Sequence, residues 1–94
     1  MSSELSAYPG GDLVAKGLED LKEDRLSEEA LLVLIASPRL ARLGFHIAAR
    51  AEGPKSYEHL LYEAIELRNS HGAHATYNGL IGRIVSFVQT YRVG

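Results

Sequence analysis

Ser27-Glu28-Glu29-Ala30-Leu31-Leu32-Val33-Leu34-Ile35-Ala36-Ser37-Pro38 is the stretch on which the fold turns. Ser27 is a good N-cap, and Glu28 and Glu29 sit where the helix dipole favours acids. Every residue from Ala30 to Ala36 is apolar. A helix apolar on all sides is buried on all sides, so this run predicts the central helix of the domain. A buried strand can share such a composition. The cap upstream and Ser37-Pro38 downstream favour helix. Pro38 suits the first turn of a further short helix with Ser37 as its cap, predicted over 38–43 and stopped by Gly44.

Upstream, Leu13, Val14, Gly17, Leu18 and Leu21 recur at helical spacing and predict an amphipathic helix. Asp12 is its expected N-cap, Lys16 and Asp20 are spaced for an i,i+4 pair, and its end falls near Glu23 or Asp24. The carboxylate pairs Glu19–Asp20 and Glu28–Glu29 read as solvated. Residues 1–11, with Pro9 and the Gly10–Gly11 pair, read as a flexible tail. Downstream, Phe45 to Ala51 mixes strand-like alternation with helix-forming alanines, and helix is the preferred reading. Glu52-Gly53-Pro54 is a break. A fourth main helix is predicted over about 56–70, with Tyr57, Leu60, Leu61, Ala64, Ile65 and Leu67 on one face. A fifth is predicted over about 75–92, with Tyr77, Leu80, Ile81, Ile84, Val85, Val88 and Tyr91 on another. The short connection makes these two antiparallel neighbours. The fold class is therefore all-α: four main helices and one short one, ending in a helical hairpin, in a single domain over 12–94.

A chain of 94 residues holds one core and buries only about 60–65% of its unfolded surface. Without cysteine it has neither disulfides nor thiolate metal sites, which suits a reducing cytoplasm. The N-terminus lacks a basic stretch followed by an apolar one, and the longest apolar run, 30–36, is far short of the ~20 residues that span a bilayer. A cytoplasmic protein without membrane contact is expected. Net charge is −2, split unevenly: −5 over residues 1–29 and +3 over 30–94. None of the bases forms a run typical of a nucleic-acid tail, so solvated helix faces are preferred over a basic surface on the second half open to an anion or to an acidic face of another copy.

Two constellations carry functional content. On the fifth helix, Gly79, Gly82 and Ser86 cluster opposite the apolar arc, flanked by Asn78, Gln89 and Thr90. Each mid-helix glycine costs about 1 kcal/mol relative to alanine. Close approach of another backbone or a ligand is the usual compensation. Packing within the chain and an interface with another copy are the main readings. The second constellation is Arg68, Asn69, His71, His74, Tyr77, Asn78 and Arg83. Arg68 falls on the apolar side of its helix, in the last turn, where a cation can cap free carbonyls.

Arg68-Asn69, with His74 after five residues and Tyr77 three later, resembles the active-site motif of the HEPN helical ribonucleases. That family has an Arg, four to six intervening residues and then a His, often with Asn directly after the Arg and an aromatic soon after the His. The resemblance spans about ten residues, and the extra His71 and Gly72 depart from the usual pattern. It implies that Arg68 stabilises charge on a phosphodiester and His74 moves protons, usually across a homodimer cleft.

His71 and His74 make at most two metal ligands where zinc needs three or four, so neither metal nor cofactor is expected. No phosphate loop, nucleophile elbow or stacking platform is present. The leading expectation is a small protein-interaction module, self-associating or binding another protein. Its interface would be Gly79, Gly82, Ser86, Asn78 and Gln89. The alternative is an RNA-acting or nucleotide-binding helical domain using Arg68, Asn69, His74 and Tyr77.

Overall fold

The computed structural model describes residues 5–47 and 55–93. Among them there is no strand. Five α-helices follow a single 3-10 turn at Leu5–Ala7: α1 Gly11–Lys22, α2 Glu28–Ile35, α3 Ser37–Arg42, α4 Tyr57–Arg68 and α5 Ala73–Val93.

Helix α2 is the hub, as its composition requires. It packs against α1, α3, α4 and α5, and every residue from Ala30 to Leu34 is buried. At eight residues it is too short to be stable alone; burial holds it helical. Ser27 caps it by accepting a hydrogen bond from the Ala30 N–H at 3.1 Å. Around it lie Val14 and Leu21 of α1, Leu40 of α3, Leu61 and Ile65 of α4, and Ile84 and Phe87 of α5, all buried.

Helix α1 crosses α2 closely because of Gly17. A Cβ there would collide with the Glu29 carbonyl oxygen and the Val33 side chain, so the small residue sets the interhelical distance. The exit from α1 is a Schellman turn. Asp24 takes the left-handed φ of 60°, the Arg25 N–H donates to the Asp20 carbonyl at 2.8 Å, and the Asp24 N–H donates to that of Leu21 at 3.1 Å. Gly44, at φ 99°, ends α3 in the same way: the Phe45 N–H donates to the Leu40 carbonyl at 3.1 Å.

Several elements differ from the sequence reading. Asp12 does not cap α1. Gly10 does, at φ 75°, and its lack of a side chain lets α1 begin against the Arg83 carbonyl of α5. Residues 5–11 are therefore not a loose tail: Leu5 and Tyr8 pack on the core, and Gly10 and Gly11 are buried. Residues 1–4 lie outside the described part. Ser37 is the first residue of α3, not a side-chain cap; Ala36 precedes it. Phe45 to Ile47 are neither helix nor strand, and the rest of the 45–51 segment lies outside the described residues. Helix α4 ends at Arg68, two residues early, and α5 starts at Ala73, two residues early. Leu67 is 91% exposed, because it lies about 200° around α4 from buried Ile65.

Residues 69–72 join α4 to α5, and the two helices run back along each other as far as Tyr62 and Tyr77, whose rings are 5.5 Å apart. At the other end of α5, Phe87 and Tyr91 stack at 5.3 Å. Tyr8 meets Phe87 edge-on at 6.1 Å, and Phe45 reaches both rings, at 5.9 and 5.1 Å. This aromatic knot fastens the N-terminal turn and the exit of α3 to the last helix.

Candidate functional site

Asp20 is the first surprise. Read as solvated, it is fully buried. An ionised carboxylate out of water must be paired. Lys16 Nζ donates to it at 2.8 Å and Arg25 Nη2 at 2.9 Å. Ser27 Oγ donates to it as well, so the residue that caps α2 also hangs from the end of α1. These donors, led by Lys16 and Ser27, hold the Asp20 carboxyl far below the usual carboxylate range against the opposing effect of burial. The Lys16 pairing was legible at i,i+4. The burial was legible only from the helix angle, which sets Asp20 about 20° from Leu13. Arg25 and Ser27 reach it because of the turn between α1 and α2. The network locks a helix corner, and its carboxylate is fully buried.

This arrangement yields a pH prediction. A carboxyl with a depressed folded pKa contributes stability that is fully present above its unfolded value, near 4, and lost as pH falls toward the folded value. Asp20→Ala is expected to cost about 1–3 kcal/mol at neutral pH, because Lys16 and Arg25 are half exposed and can turn to water when the carboxylate goes. The cost should shrink as pH drops below about 4. Urea melts of both proteins at pH 7 and pH 3 measure it, and an equal cost at both values contradicts the assignment.

The second constellation is dispersed among separate partners. Arg68 does not cap α4. Its guanidinium forks onto Glu28 at the start of α2, Nε to Oε2 at 2.6 Å and Nη2 to Oε1 at 2.8 Å. That pairing raises the guanidinium pKa above its ordinary value and explains how a cation tolerates the apolar side of α4: it is in the last turn and reaches a neighbour's acid. Asn69 turns the chain, accepting from the Gly72 N–H at 3.2 Å. His71 is exposed in the connection. His74, expected in the loop, is in the first turn of α5, 3.2 Å from the Asn78 amide nitrogen. Tyr77 is half buried against Tyr62; burial first, then the charge of Glu58, raises its phenol. A phosphate at Arg68 would meet only the remaining Nη donors, beside the negative charge of Glu28. Among the described residues no group of three His, Cys, Asp or Glu is placed to hold a metal ion, and no helix is long and apolar enough to cross a membrane.

The small-residue face of α5 lies on the outside. Gly79, Gly82, Ser86, Asn78 and Gln89 are all exposed. At Gly79 and Gly82 the space a Cβ would occupy is open, with no atom within 4 Å, so packing within the described chain does not account for either glycine. Gly10 and Gly17 are the glycines that internal contacts demand. Beside this face runs a groove that the sequence did not disclose. Two adjoining hollows of about 540 and 580 Å³ lie between α3 and α5, sharing Arg39, Arg42 and Val85 as lining. Ile81, Ile84 and Val88 add apolar surface, Gln89 stands at one end and Glu58 at the other. Gln89 thus belongs to both the groove and the small-residue face. Among the described residues, the short α3 leaves this flank of α5 uncovered.

The chain matches no family model, no curated protein and no solved structure.

Proposed function

We propose that this chain is a small helical interaction module that associates with itself through the outer face of α5, centred on Gly79, Gly82 and Ser86. One observation carries the reading: two glycines inside a long helix, each costing about 1 kcal/mol relative to alanine, stand over open space. A second helix backbone laid on that face would use the space. The flank of Asn78 and Gln89 is uncharged, and Arg83 on the other flank is paired with Asp12, which lowers the like-charge barrier to a two-fold contact. The ribonuclease-like reading of Arg68 and His74 ranks second, because Glu28 already neutralises the guanidinium and takes two of its donors.

Light scattering at micromolar concentration tests the proposal. The wild type is expected to be dimeric and Gly82→Lys monomeric with its helical circular dichroism intact. Gly82→Ala adds a sharper readout: the monomer fold should gain up to about 1 kcal/mol in helix propensity while association weakens. A wild type that stays monomeric, with Gly82→Lys indistinguishable from it, removes the interface.

A further inference from the structure

We infer that the groove between α3 and α5 is a docking site for an acidic amphipathic helix of another protein. The floor is apolar, formed by Ile81, Val85 and Val88, and the rim carries Arg39 and Arg42. Helix-in-groove binding needs an apolar strip for the i, i+3, i+4 and i+7 anchors of the guest. From Ile81 to Gln89 the strip is about 12 Å long, or two helical turns.

Charge identifies the guest. Among the lysines and arginines whose side chains are described, most are already engaged. Lys16 and Arg25 hold Asp20, Lys55 holds Glu63, Arg68 holds Glu28 and Arg83 holds Asp12. Lys22, Arg39 and Arg42 alone have no acidic partner, and two of these three stand on the groove rim. The same pairs show why a second copy is a poor occupant. Of the acids of residues 1–29, Asp20 and Glu23 are paired with bases of their own segment, and Asp12 and Glu28 with Arg83 and Arg68. A two-fold copy seated in the groove would also bring a second pair of arginines to the same place, at a like-charge cost. A foreign helix with acids along one flank of its apolar stripe meets both the floor and the rim. Glu58 at the end of the groove sets its polarity, since the guest's acids belong toward α3 and away from Glu58.

The probe is a fluorescein-labelled peptide of about four helical turns, with Leu and Ile at the anchor positions and Glu beside them. Fluorescence anisotropy against the full chain should give micromolar binding that weakens with salt. Arg39→Glu with Arg42→Glu should weaken it at least about tenfold, and a Lys-flanked version of the peptide should bind that double variant instead. Lys22→Glu, which removes the one base among the described side chains that is unpaired and away from the groove, should bind as wild type. If the charge reversal perturbs the circular dichroism, Arg39→Gln with Arg42→Gln replaces it with the same expected direction. The assignment is overturned if wild type fails to bind at about 100 µM peptide, if the groove variants bind undiminished, or if Lys22→Glu loses as much. Displacement of the peptide as protein concentration rises through the association range would give the groove to a second copy and also overturn it. The inference does not rest on self-association: peptide binding to a protein that light scattering shows to be monomeric sinks the dimer and leaves the groove standing.

Discussion

Phe87→Ala is expected to cost about 3–5 kcal/mol and to leave the chain largely unfolded at physiological temperature. Phe87 is the largest fully buried side chain, and three rings depend on it. Tyr8 packs on its edge, Phe45 tilts against it and Tyr91 stacks on it. Removing the ring deletes transfer energy and leaves a cavity, and among the rings it leaves the N-terminal turn and the chain beyond α3 held to α5 through Tyr91 alone. Ring pairs of this kind contribute about 0.5–1.5 kcal/mol each beyond burial. A domain of this size holds only a few kcal/mol in total. Phe87→Leu keeps most of the volume and should cost markedly less. Chemical denaturation of the three proteins checks the order, and a Phe87→Ala protein that melts with wild type contradicts the aromatic knot.

Leu34→Ala is expected to cost about 2–5 kcal/mol, because α2 has no solvent face toward which the cavity could open. Leu34 is 6% exposed, and Leu31, Leu32 and Val33 around it are also buried. Neighbouring helices contact α2 from several sides, so none can collapse into the void without leaving another contact. Leu67→Ala is the control. The same chemical change at a side chain 91% exposed should move the melting temperature hardly at all. Thermal melts of the pair decide it: similar shifts for both would remove α2 from the centre.

The sequence by itself determined the all-α class, the five helices and the central place of α2. Those features rest on local signals: Ser27 as a cap, apolar residues at 3.6 spacing, and a run from Ala30 to Ala36 with no polar side to turn outward. The small-residue identity of Gly79, Gly82 and Ser86 was equally visible, because it is composition on one helix face. Whether that face meets another part of the same chain was not visible. Only the placement of α5 leaves Gly79 and Gly82 over open space while Gly10 and Gly17 take the tight contacts. Long-range pairing was also decided by the tertiary structure alone. Asp12 meets Arg83 and Glu28 meets Arg68 across 71 and 40 residues of chain, and a charge count over a segment cannot say which charges will neutralise each other. Asp20 lay at the edge of an apolar arc, where a helix angle places a residue but not its depth; the turn through Asp24 brought Arg25 and Ser27 to it and made burial tolerable. The groove with Arg39 and Arg42 is the extreme case. Among the described residues a six-residue α3 ends before it can cover α5, and such an opening is a property of where helices stop in space, which no periodicity along one helix contains.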